Sequence, residues 1–155
     1  MFFTKEIIYK SELGYQEIVN RIAKNIESDY SLEMAIRHKK PKKPFIGFLN
    51  NNGTFEIKNV QMHGYRNMSY LIGNGRLYNE NGSTTISVSL TLSKGLRTFL
   101  ILFTVFSLVL LIFANFIAPL VISLIANFIA IQTCYQEFKV IKNKLDLLIS
   151  SQNEH

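Results

Sequence analysis

Thirty-nine consecutive residues, Thr98 to Gln136, carry no charge, and no other feature limits the fold of this chain as strongly. A bilayer core of about 30 Å is spanned by roughly 20 apolar residues in a helix. At 1.5 Å per residue, one straight helix made of the whole run would reach about 58 Å, nearly twice that thickness. The run is therefore expected to turn back on itself. Asn115 and Pro119 lie near its midpoint, and proline favours the first turn of a new helix. Two spans follow, Thr98–Ala114 and Ala118–Cys134, joined by a tight turn. A buried helical pair in a soluble core is the competing reading, but such helices keep a charged face.

A hairpin puts both of its flanks on one side. Lys94 and Arg97 precede the run, and Lys139, Lys142 and Lys144 follow it. The positive-inside bias then places both flanks and both termini in the cytoplasm, with the hairpin in the cell's inner (plasma) membrane. Met1–Lys10 has no apolar run of signal-peptide length, since Lys5 and Glu6 interrupt it early. Three parts result: a cytoplasmic domain over 1–96, a transmembrane hairpin over 97–135, and an amphipathic helix with a tail over 136–155. The single cysteine, Cys134, excludes an intramolecular disulfide and a cysteine-based zinc cluster. It lies at the membrane edge, where it is either a palmitoylation site or a plain apolar residue.

The patterning of residues 1–96 predicts an α+β unit. Met1–Lys10, rich in Phe, Ile and Tyr, suits a strand, and Ser11 is placed to cap the helix that follows. In that helix Ile18, Ile22 and Ile26 recur every four residues. Tyr30–His38 fits a short helix or an irregular link equally well. From Pro44 the period becomes alternating. Phe45–Leu49, Thr54–Met62, Tyr65–Tyr78 and Thr85–Leu92 read as strands, with turns at Asn50–Gly53 and Asn81–Gly82. A bulge is expected before Val60, and a bend or bulge at Gly73–Gly75. In Thr85–Leu92, Ile86, Val88, Leu90 and Leu92 face one way and hydroxyl residues the other, as in an antiparallel strand with one wet face. The final helix carries Phe138, Ile141, Leu145 and Leu148 on one stripe. The fold expected is a small antiparallel sheet packed by one or two helices, with the hairpin inserted before the last helix.

The cadence Phe45-x-Gly47, Gly53-x-Phe55-x-Ile57, Tyr65-Arg66-Asn67-x-Ser69, Gly75, Asn81-Gly82-x-Thr84-x-Ile86-x-Val88 resembles a group of small bacterial membrane proteins. These have a β-rich cytoplasmic part and a hydrophobic hairpin near the C-terminus. The likeness spans about 45–135 and implies an architecture, with no activity attached.

Candidate sites are few. Arg37, Lys39, Lys40, Lys42 and Lys43 surround two prolines in one link, which rules out a central strand. Such a link either stays solvated or contacts anionic headgroups, at about 1 kcal/mol per Lys near the surface. Nucleic acid is disfavoured, since no recognition helix or aromatic-bearing sheet signature accompanies the link. His63 and Ser69 invite a nucleophile reading, but no Gly-x-Ser-x-Gly elbow or nearby Asp completes it. Tyr65, Arg66 and Asn67 are better read as a turn with a hydrogen-bond network, in which Arg66 is the best candidate to grip a carboxylate or phosphate. Three scattered histidines give no metal site, and no cofactor is expected. Ser107, Asn115, Ser123 and Asn127 are polar residues within the apolar run, suited to joining helices. The run holds no ionisable residue of the kind that lines a transport path. The expected partners are membrane lipids and either a protein or a second copy of the chain. A lipid or small apolar ligand held between sheet and helices is the alternative.

Overall fold

A computed structural model of the protein describes residues 4–30, 41–59, 62–63, 66–67, 69–80, 82–114 and 117–150. Its centre is a six-stranded sheet in the order β1-β8-β7-β4-β3-β2. The strands are β1 (Thr4–Ser11), β2 (Ile26–Glu27), β3 (Phe45–Leu49), β4 (Thr54–Asn59), β7 (Leu71–Glu80) and β8 (Ser83–Leu92). A separate two-stranded ribbon joins β5 (Met62–His63) to β6 (Arg66–Asn67). All pairs are antiparallel except β2 with β3. The sheet expected from sequence gains β2 because the chain leaves helix α1 (Tyr15–Asn25) directly into extended backbone at Ile26.

The turns follow their residues. In the β3–β4 turn Gly53 takes φ +77°, the Asn50 N–H donates to Thr54 O at 2.8 Å, and Asn52 Oδ1 accepts the Thr54 N–H at 3.1 Å. The β7–β8 hairpin closes with Glu80 opposite Ser83 and Gly82 at φ +83°, the positive φ that primed hairpin turns need and glycine accepts. Ser11 does not cap the helix. It ends β1, its Oγ accepts the Leu13 N–H at 3.2 Å, and Gly14 takes the N-cap position without a side-chain bond. Ser11 lies too early because two further residues turn the chain before α1 starts.

Register decides which face is buried. Ile7 opposite Val88, Tyr9 opposite Ile86, Leu77 opposite Ile86, and Ile57 opposite Gly73 all lie on the inner face. Ile86, Val88, Leu90, Leu71, Ile57 and Phe55 are buried there, against Ile18 and Ile22 of α1 and Ile141 and Leu145 of the last helix. β7 contains no bend or bulge at Gly73–Gly75; its pairing with both neighbours is continuous. The two glycines make room for side chains. A Cβ on Gly75 would fall within the Phe55 ring, and one on Gly73 would sit 2.8 Å from Ile57 Cγ1. The bulge expected before Val60 lies outside the described residues, as do Arg37 and most of Tyr30–His38.

After Ser93 the chain enters α2 (Lys94–Ala114), and α3 (Ala118–Ser150) returns from it. These are 21 and 33 residues, about 31 and 50 Å at the usual rise. The two helices meet between Ala114 and Ala118, and Pro119 lies in the first turn of the second. The apolar return arm and the amphipathic helix are one uninterrupted rod, because nothing between Cys134 and Phe138 breaks a helix. Both α2 and α3 are long and apolar enough to cross a membrane. Only 6% and 11% of their apolar windows is buried, and Phe113 reaches 84% exposure. The lower half of α3 turns Cys134, Glu137, Ile141 and Leu145 onto the sheet and leaves Val140 and Leu147 outside.

Candidate functional site

Glu137 is the first charge after the apolar run, and it faces inward at 1% exposure. One turn of α3 beyond Cys134 brings it over the start of β7. Its Oε2 accepts the Tyr70 N–H at 2.9 Å and the Leu71 N–H at 3.1 Å, and Ser69 Oγ lies 2.7 Å from Oε1. The Ser93 N–H donates to Tyr70 O at 2.8 Å. One carboxylate thus ties together the start of β7, the end of β8 and the helix that descends from the hairpin. A buried acid is tolerated only with such donors. The Ser69 hydroxyl also lies 2.6 Å from Leu71 O, so its single proton is committed to this knot. In the sequence Ser69 stands out as a hydroxyl near His63, whereas Glu137 is simply the charge that follows the uncharged run. The available signal was an isolated acid on the apolar stripe Phe138–Ile141–Leu145.

Arg66 and Asn67 form β6, opposite His63 and Met62 respectively. Tyr65 lies outside the described residues. The ribbon is thus two residues per strand and ends two positions before Ser69.

In the basic link, Arg37, Lys39 and Lys40 lie outside the described residues. The two lysines that follow are held by the end of α1 and by β2. Glu27 Oε2 accepts the Lys42 N–H at 2.6 Å and the Lys43 N–H at 3.2 Å. Lys43 Nζ donates to Ala23 O at 3.2 Å and Ile26 O at 2.7 Å, which satisfies carbonyls at the helix C-terminus. Lys144 comes to the same region from α3. Its Nζ donates to Asn59 Oδ1 at 2.6 Å and Pro44 O at 3.2 Å, and burial lowers its pKa. On another flank of α3, burial and then the Asp146 carboxylate raise the Tyr9 phenol above its ordinary range.

Within the hairpin, Asn127 Nδ2 donates to Thr104 Oγ1 at 3.2 Å and to Ser123 O at 2.8 Å, and the Thr104 and Ser123 hydroxyls lie 3.3 Å apart. Ser107 is buried and bonds Phe103 O of its own helix. Two of the four polar residues expected to join helices thus do so through Thr104, and Asn115 lies outside the described residues. Beside this contact runs a groove of about 340 Å³, lined by Leu100, Ile101, Leu124 and Asn127, with Arg97 at one end.

The outer face of the sheet presents Thr85, Ser87 and, among larger side chains, the exposed Ile8, Phe48 and Tyr78. The Arg76 guanidinium lies 5.9 Å from the centre of the Tyr78 ring. A shallow depression of about 320 Å³ opens between Phe48, Glu56, Asn74, Arg76 and Ser87. Comparison with protein-family models, curated proteins and solved structures finds no match to this chain.

Proposed function

We propose that the protein is a membrane-anchored interaction module, an accessory or neutralising partner whose cytoplasmic domain is held at the inner leaflet. The observation that carries this reading is the uncovered sheet face. Both helices that pack on the sheet lie on its inner side, so the other side offers Phe48 and Arg76 at a depression, with the exposed Tyr78 ring beside Arg76. Aromatic residues and arginine are enriched at protein interfaces, and a central pocket is where binding energy concentrates. The space above Gly73 and Gly75, which a ligand between sheet and helices would need, is taken by Ile57 and Phe55. The partner favoured is accordingly a protein.

Native mass spectrometry of the protein, extracted in mild detergent from its own host, tests this. A stoichiometric second polypeptide is expected, and it is lost from the Phe48→Ser/Tyr78→Ser variant. A single-chain mass, or a partner retained by that variant, would overturn the proposal.

In the same reading α2 and the apolar half of α3 cross the bilayer, and their apolar surface meets lipid. Cysteines introduced at Lys10 and Lys142, in a Cys134→Ser background, are then expected to react with an impermeant maleimide only after permeabilisation. Labelling of either position in intact cells would rule out the cytoplasmic orientation.

A further inference from the structure

Arg21 and Lys24 of α1, Lys42 and Lys43 of the link, and Lys144 of α3 line one cavity of about 660 Å³, with Leu147 on its rim. These residues are brought together from three segments spread over more than 120 positions of sequence. Among the described residues, no carboxylate lines the cavity. Three acids border it: Glu17 pairs with the Arg21 guanidinium at 2.8 Å, Glu27 accepts the Lys42 and Lys43 amides, and Asp146 lies 3.9 Å from Lys142. The C-terminal end of a helix normally repels anions. Here Lys43 Nζ fills the Ala23 and Ile26 carbonyls, which removes that obstacle. Among the described residues, the ammonium groups of Lys24 and Lys42 have no hydrogen-bond or ion-pair partner, and both side chains belong to exposed residues.

We infer that this cavity is a binding site for a phosphate-bearing anion, with Lys24 and Lys42 as its principal ligands and Arg21 and Lys144 as flanking charges. A phosphate monoester carries close to two negative charges and three acceptor oxygens, enough to meet donors that arrive from separate elements. A carboxylate offers two oxygens in one plane. The volume lies within the range of small-molecule sites, and exposed Leu147 supplies an apolar edge for whatever carries the phosphate. The phosphate belongs either to a soluble compound or to a lipid headgroup, and the chemistry of recognition is the same for both. The site is separate from the sheet face and stands or falls independently of the protein partner.

The test uses the full chain in nanodiscs of zwitterionic phosphatidylcholine, titrated calorimetrically with pyrophosphate. Saturable binding is expected, weakened about tenfold or more in Lys24→Gln/Lys42→Gln as two charged donors are lost. The control Lys5→Gln/Lys10→Gln removes the same charge from exposed positions on β1 and should leave the affinity unchanged. A second arm incorporates phosphatidic acid in the discs and counts, by native mass spectrometry, the molecules retained after delipidation. Cleft-dependent pyrophosphate binding identifies a soluble phosphate as the source. Retention of phosphatidic acid by the native protein and not by Lys24→Gln/Lys42→Gln, without pyrophosphate binding, identifies a headgroup. If neither probe binds the native protein, or if both double variants weaken binding equally, the site does not exist.

Discussion

Glu137→Ala is expected to destabilise the protein by about 3 kcal/mol or more, because it strands the Tyr70 and Leu71 amides, while the Ser69 hydroxyl keeps Leu71 O as its acceptor. The carboxylate accepts from Tyr70, Leu71 and the Ser69 hydroxyl, and water has little access to replace it at 1% exposure. Thermal unfolding in detergent would read the loss as a lowered midpoint. Hydrogen exchange would locate it, with protection falling first at the amides of Tyr70 and Leu71. Glu137→Gln keeps one acceptor oxygen but turns an amide group toward the other donors, so its midpoint should lie between the native and alanine proteins. Ser69→Ala removes a single donor and should cost only about 1 kcal/mol. An unchanged midpoint in Glu137→Ala would mean that the helix docks on the sheet through its apolar stripe alone.

The second large effect is expected at Gly75. An alanine methyl there occupies the space of the Phe55 ring, and overpacking of this kind typically costs about 1–3 kcal/mol. The strand itself would prefer alanine to glycine, so the steric conflict decides the sign. Shrinking the ring should relieve it. Phe55→Leu alone opens a cavity and destabilises, whereas Gly75→Ala/Phe55→Leu should be more stable than the sum of the two single changes predicts. Denaturant melts of the four proteins give the coupling, expected at about 0.5–3 kcal/mol for residues in direct contact. Strict additivity would show that the ring moves aside freely and that Gly75 is not required for packing.

These two sites also show what was legible in the sequence. The strand pattern of Thr85–Leu92, the turns at Asn50–Gly53 and Asn81–Gly82, and the apolar turn near Pro119 all depend on neighbours within a few residues, and local chemistry placed them. Gly75 was visible as a glycine, but its role depends on Phe55 across the strand pair, a contact that periodicity does not reveal. Glu137 likewise has its partners 66 to 68 positions away. The basic link was found by its composition. The lysine that completes the cleft, Lys144, lies 100 residues beyond Pro44, to which it is bonded, and in the sequence it stands out only as one of the positive charges that follow the apolar run. Two-residue β2 carried no pattern of its own and exists because β3 offers it an edge. Long-range pairing of this kind depends on tertiary contact, and a single sequence does not record it.

The unbroken α3 has a mechanical consequence. A domain tethered by a flexible linker sweeps a large volume and meets partners at many angles, whereas one fixed to a rod of about 50 Å takes its bearing from whatever holds the far end of the rod. Each residue added near Tyr135 would swing the docked stripe by about 100° around the helix axis and lift it 1.5 Å. Tilting the upper half of the rod would tilt the sheet with it, since Glu137, Ile141 and Leu145 are fixed to the sheet. With the apolar half of α3 in a bilayer, as proposed above, the outer face would be presented at one azimuth and one height above the lipid. A partner confined to the same membrane would then meet that face already aligned and lose little orientational freedom on binding.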